Sequence, residues 1–288
     1  MKFGIIFANT GPFVEPGPAA EMARAAEQAG FESLWTVEHA VVPAGYASTY
    51  PYDPSGRMPG SDDSPVPDPL IWLAYLAAAT TTLRLATGIL ILPQRNPVVL
   101  AKEVATLDRL SGGRFDLGVG IGWLREEFDA IGVPFDERAE RTDEAIDVLR
   151  ALWAGGPATF EGRYSSFAAC HSEPRPAAGS VPVHIGGHSE ASARRAGRLG
   201  DGYFPAVGGA KLAALLEVLR ASAVEAGRDP GAIEITSGGR GVFGPDQLDE
   251  VKALADLGVD RVVVPAFLFW NDPAASLAAF GEQVIAKS

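Results

Sequence analysis

The chain has 288 residues, 47% of them hydrophobic, with 33 glycines, 22 prolines and a formal net charge of −12. A chain of that length buries a large core, and this composition excludes the fibrous and disordered classes; the acidic balance excludes a basic nucleic-acid face. A single cysteine, Cys170, excludes a disulfide framework and a Cys-based metal centre, and the four histidines keep no ligand spacing, so no metal is expected.

No apolar run approaches the roughly 20 residues of a membrane span, and the start, MKFGIIFANTGPF, lacks a signal-peptide pattern. A cytoplasmic protein is expected. Arginine outnumbers lysine by 19 to 5, which leaves room for a local anion site, because guanidinium suits bidentate contacts to phosphate or carboxylate.

In chain order, KFGIIFAN reads as a strand and Pro18 to Gly30 as a helix closed by its glycine. SLWTVEH is a second strand. Residues 40–68, rich in Pro, Gly, Ser, Tyr and Asp, form a loop long enough to serve function and to close as a lid. The helix PDPLIWLAYLAAAT follows. LRLATGILILP is the third strand, with its helix from Asn96 to Ser111 opening on Pro97. RFDLGVGIGW is the fourth, followed by helical stretches through Trp153. A hairpin, ATFEGRYSSF, interrupts the alternation. The fifth strand, Val181 to Ile185, runs into Gly186-Gly187-His188-Ser189 and a helix. DGYFPAV, AIEITSGG and DRVVVPAF begin the last three units, each with a helix behind it. Eight strand–helix alternations without a linker predict one α/β domain over residues 1–288, closed as a (β/α)8 TIM barrel with loop insertions.

Such a barrel places its chemistry at the C-terminal rim. The predicted rim is apolar and rich in glycine, with no paired carboxylates and no Ser-His-Asp order. It suits a flat organic cofactor better than a hydrolytic site. Gly186 to Ser189 can bring backbone N–H groups and a helix N-terminus to a phosphate; the plainer reading is a tight turn with a capping Ser189. Glu38 and His39 end the second strand, and His39 has the side chain best suited to proton transfer near neutrality. Neighbours on a strand face opposite ways, so either Glu38 or His39 faces the mouth. Gly118, Gly120 and Gly122 leave one face of the fourth strand bare, for a ring or for neighbouring backbone. Arg95 and Arg240 lie near the rim. Arg194 and Arg195 read as a solvated helix face and His184 as a core residue. Cys170 and His171 fall in an irregular loop without a role.

The stretch from ATGILILPQRNPVVLAKEVATLDRLSGGRFDLGVGIGWLREEF through RALW, with the later VPVHIGGHSEASARRAGRLGDGYF, resembles the bacterial luciferase-like monooxygenase superfamily. It is most similar to the branch that uses the deazaflavin F420, and the likeness runs over essentially the whole chain. The resemblance implies a ring at the barrel mouth with its phosphate on Gly186, Gly187, His188 and Ser189. It also implies a non-proline cis peptide at Gly88-Ile89, and Ile91, Ile121 and Gly122 lining the ring, with Glu38, Gly88 and Ile89 among the cofactor contacts. In members that oxidise a sugar phosphate, an Asp-His pair ends the second strand and a Glu follows the fourth-strand glycines. Here Glu38-His39 and Trp123 stand at those places, so His39 keeps a proton role and the sugar-phosphate reaction is not expected. The implied activity is F420-dependent hydride transfer to or from a small organic substrate, with Arg57 or Arg95 meeting the acidic cofactor tail. The alternatives are an FMN-dependent monooxygenase served by a partner flavin reductase, and a non-catalytic flavin-binding protein. Relatives in this superfamily imply a homodimer.

Overall fold

Strand and helix alternate from the first residues onward. The structure, a computed structural model, describes residues 1–288 except Ala206, Gly239 and Pro245 and the side chains at 240 and 241. In chain order the strands are β1 (Lys2–Ile6), β2 (Ser33–Thr36), β3 (Arg84–Thr87), β4 (Leu90–Ile91), β5 (Phe115–Gly120), β6 (Ala158–Glu161), β7 (Ser166–Cys170), β8 (Val183–Gly186), β9 (Gly202–Phe204), β10 (Glu234–Ser237) and β11 (Arg261–Pro265). The α-helices are α1 (Pro16–Gln28), α2 (Pro69–Ala77), α3 (Pro97–Leu110), α4 (Arg125–Ile131), α5 (Arg138–Trp153), α6 (Glu190–Leu199), α7 (Gly209–Glu225), α8 (Gln247–Asp256) and α9 (Pro273–Gln283). β6 and β7 form the predicted antiparallel hairpin. Cys170 therefore ends a strand, where an irregular loop was expected; its alternation with the hairpin partner was too weak to read.

The other strands form one parallel sheet that closes on itself, with β1 between β2 and β11. β3 and β4 together make one stave, broken at Gly88-Ile89, a cis peptide bond as the resemblance implied. The result is the predicted eight-stranded (β/α)8 barrel. Helix N-termini are set by side chains the sequence offered: Asp68 accepts from the N–H groups of Leu70 and Ile71, and Asn96 from those of Val98 and Val99.

Inside the barrel the lower end is charged. Arg261, 1% exposed, donates to Glu32 and Glu234 and lies over the Trp35 ring, while Arg84 pairs with Asp116. Above it Trp35 donates to Ser33 at 2.8 Å, and His184, buried as expected, meets the indole edge-on. Higher still the filling is apolar: Ile6, Trp35, Ala86 and Val263, with Val37 and Phe204 against them, make a floor under the mouth.

The bare face of β5 is taken by neighbours. A Cβ on Gly118 would stand 1.8 Å from the Thr87 carbonyl oxygen, and one on Gly120 or Gly186 would run into the Ile89 side chain. At Gly118 the neighbour is backbone and at Gly120 it is the Ile89 side chain, so packing accounts for both of these glycines. Arg195 departs from expectation as well: it is 8% exposed and donates to Asp143 of α5, so it binds helix to helix where a solvated face was expected.

Candidate active site

β2 stops at Thr36, three residues short of the predicted strand end. Beyond it the Asn9 side chain stands in for a neighbouring strand, accepting from Val37 N–H at 2.8 Å and donating to the Val37 carbonyl at 2.9 Å. The same amide reaches the Pro67 carbonyl at 3.3 Å, so one buried residue gathers both stems of the 40–68 loop.

Glu38 and His39 then face opposite ways. Glu38, 7% exposed, accepts from the Ile91 N–H and from Arg95, which also donates to Asp68 at 2.8 Å. Burial pushes its carboxyl up, against the pull of the Arg95 charge. Its carboxylate is thus committed to the loop stems and the β4 backbone. His39 turns to α4, where its Nδ1 lies 3.0 Å from Glu127 Oε2. Glu127 is fully buried, and its other oxygen accepts from the N–H groups of Ala40 at 2.6 Å and Val41 at 3.3 Å. Sequence reasoning missed Glu127, because 88 positions separate it from its partner. The readable sign was the pair Glu126-Glu127 in the first turn of a helix that begins at the rim.

Glu126 holds the same loop further along. It accepts from Ser48 Oγ at 2.6 Å and from the N–H groups of Ala47 and Ser48, which keep its carboxyl at about 2. The loop then crosses the mouth as a chain of edge-to-face aromatic contacts. Trp123 meets His39, Tyr46 and Tyr50 with ring centroids 5.8, 5.4 and 5.2 Å away, Tyr50 meets Tyr52, and Tyr52 meets His188 at 4.9 Å. Burial raises the Tyr50 hydroxyl to about 12.

At the far side of the mouth Ser189 caps α6 in a reciprocal box with Ser192: Ser192 N–H reaches Ser189 Oγ at 3.2 Å, and Ser189 N–H reaches Ser192 Oγ at 3.1 Å. Gly187 takes φ +116 and donates to the Phe204 carbonyl. Those donors are spent. The first-turn N–H groups of α6, at Glu190 and Ala191, are left open by helix geometry. His188 Nδ1 is buried without a partner, and burial followed by the nearby Lys211 charge lowers this imidazole. An anion acceptor would satisfy these groups, so the turn fits a phosphate as well as a cap.

The remaining predicted ring contacts are spread in depth. Ile91 is 2% exposed and packs toward Gly122, which has φ +78; Ile121 is half-buried at the rim. Arg57 donates to the Tyr46 carbonyl at 2.7 Å and lies over its ring. Arg95 is held by Glu38 and Asp68, whereas Arg57 is exposed and meets no carboxylate among the described residues. The Arg240 side chain lies outside the described residues. Among the described residues no group of His, Cys, Asp and Glu could hold a metal ion, and no helix is long and apolar enough to cross a membrane.

The model of the luciferase-like monooxygenase family matches residues 1–281. The chain belongs to that family. It is 33% identical to an uncharacterized protein of Mycobacterium tuberculosis over 277 residues, 92% of this chain and 94% of that protein. It is 34% identical to the F420-dependent glucose-6-phosphate dehydrogenase of Kineococcus radiotolerans over 228 residues, 77% of this chain and 62% of that one. A solved F420-dependent secondary alcohol dehydrogenase, in complex with an F420–acetone adduct, superposes with a TM-score of 0.79 over 100% of this chain and 99% of that chain. At 20% identity that likeness speaks for the fold.

Proposed function

We propose that this family member is an F420-dependent oxidoreductase acting on a small organic substrate with an apolar face. The observation that carries the reading is His39 at the mouth, with one ring nitrogen held by buried Glu127 and its ring edge-on to Trp123. The likeness to an F420-dependent dehydrogenase supports the deazaflavin. When bound, F420 supplies a ring carbon that accepts or gives hydride.

The chain's own residues do the rest. The turn at Gly186, Gly187, His188 and Ser189, with the open N–H groups of α6, holds the phosphate. Gly88, Ile89, Ile91, Ile121 and Gly122 form the wall against which the ring would rest, and Glu38 fixes the Ile91 backbone behind it. His39 takes or gives the proton that accompanies hydride transfer. The aromatic loop excludes water, which strengthens polar interactions inside the mouth. The apolar substrate class is supported by Trp123 and Tyr50 on one side. Phe7 and Phe267, which follow β1 and β11, support it from the other: they are 37% and 50% exposed. Sugar-phosphate oxidation is not proposed, because Trp123 stands where a Glu would carry the proton and cannot take its part. The chain acts as a homodimer in the cytoplasm, with α2 and α3 presenting apolar side chains at the surface.

Titrating the apoprotein separately with oxidised F420 and with FMN, followed by fluorescence, tests the cofactor. Tighter F420 binding by about tenfold, roughly 1.4 kcal/mol, is the expected result. The opposite order would make the protein an FMN monooxygenase in need of a partner reductase. His39→Ala should keep F420 binding and lower turnover by roughly 10²–10⁴. Binding without turnover by the unaltered protein, across reductants and acceptors, would leave a flavin-binding protein in place of an enzyme.

A further inference from the structure

Glu127 has four features that bear on the proton at His39. It is fully buried; its Oε2 meets His39 Nδ1 at 3.0 Å; its Oε1 takes two backbone N–H groups, from Ala40 and Val41; and it stands next to Glu126, which holds the loop at Ala47 and Ser48. With Oε1 filled by two donors, the group sits there as an acceptor, and its second oxygen asks for a third donor. Among the described residues the one group opposite it is His39 Nδ1. Among the described residues no partner meets His39 Nε2.

We propose that Glu127 is a positioning residue that fixes His39 in the Nδ1–H tautomer, leaving Nε2 as the one nitrogen that exchanges a proton at the mouth. The statement rests on the reading of His39 as the proton carrier. Neutral imidazole has one donor and one acceptor nitrogen, and the partner of one decides the role of the other. Without Glu127 the ring is free to turn and to present N–H where a lone pair is required. Because the same carboxylate binds the N–H groups of Ala40 and Val41, the ring and the root of the aromatic loop are set by one group. The loop cannot shift at its root without disturbing the ring.

Glu127→Gln discriminates sharply. An amide has one acceptor oxygen. The two backbone donors claim it, and the NH₂ group is then turned on His39 Nδ1. The tautomer should invert, to Nε2–H with Nδ1 accepting. The measurement is a long-range 1H–15N spectrum of the full chain with 15N-labelled histidine, recorded with all imidazoles neutral. The His39 signals are assigned by their loss in His39→Gln. The unaltered protein should give the Nδ1–H pattern and Glu127→Gln the Nε2–H pattern. Given turnover, kcat of the variant should fall by at least about tenfold with KM little changed, as expected when a base is left in the wrong tautomer. An Nε2–H pattern in the unaltered protein overturns the proposal without recourse to any variant, should Glu127→Gln fail to fold. An unchanged pattern in a folded variant overturns it too. Neither spectrum needs a cofactor, so this result and the F420 titration fail separately.

Discussion

Gly118 has no room for a methyl group. Its missing side chain would overlap the Thr87 carbonyl oxygen, whose residue also donates through Oγ1 to the Gly118 carbonyl at 2.6 Å. Backbone cannot retreat as a flexible side chain can, so Gly118→Ala should cost more than about 4 kcal/mol and abolish soluble expression. Gly17 is the control: it lies in the first turn of α1 with nothing within 4 Å of an added Cβ, and Gly17→Ala should leave the melting temperature unchanged or raise it slightly. Thermal melts of both check the pair. GVGIGW was visible in the sequence as a bare strand face, but its occupants were not, since Thr87 and Ile89 arrive from another strand through a register no local pattern encodes. Trp123 was legible as a departure from the sugar-phosphate members. Glu127 was not, because a pairing across 88 positions leaves no periodicity behind.

At the scale of elements, Glu27 shows how one side chain seats a strand. Near the end of α1, its Oε1 accepts from the N–H groups of Thr81, Thr82 and Leu83 at 2.8, 2.5 and 2.8 Å, fixing the approach to β3. Burial pushes the carboxyl up, but the donors at Thr82, Leu83 and Thr81 outweigh it and bring it from 4.5 to about 2. A carboxyl depressed in the folded state stabilises fully above its unfolded value and loses that contribution as pH falls from 4.5 toward 2. Glu27→Gln should therefore lower the melting temperature at pH 7 by about 2 °C, the screening of a partly exposed group being allowed for. It should also flatten the fall in stability below pH 4.5. A variant whose acid profile matches the unaltered protein would remove Glu27 from that role. Helix caps such as Asp68 and Asn96 were readable because cap and helix are adjacent in sequence; Glu27, joining α1 to the turn before β3, was not.

At the scale of the whole molecule, eight alternations were enough to predict closure, because each parallel stave needs a crossover and the last has only the first left to pair with. The outer surface carries a different message. Ile71 on α2 is 74% exposed and Val99 on α3 is 54% exposed, with Tyr75 and Val98 beside them, and the two helices are packed neighbours. The homodimer proposed above would cover that face. Sedimentation should give twice the 30.2 kDa chain mass, and Ile71→Lys with Val99→Lys should return the monomer while the fold persists. A monomer at micromolar concentration would exclude this interface. The loop across the mouth has its own consequence. Asn9 and Arg95 tie its two stems together, and Glu126 pins it at Ala47 and Ser48, so residues 49–64 hang between points that are held from the barrel. A protease nick there would leave both cut ends in place. For the same reason that span behaves as a cassette: a foreign segment grafted between the stems would change which molecules enter the mouth, with no demand on the barrel that carries it.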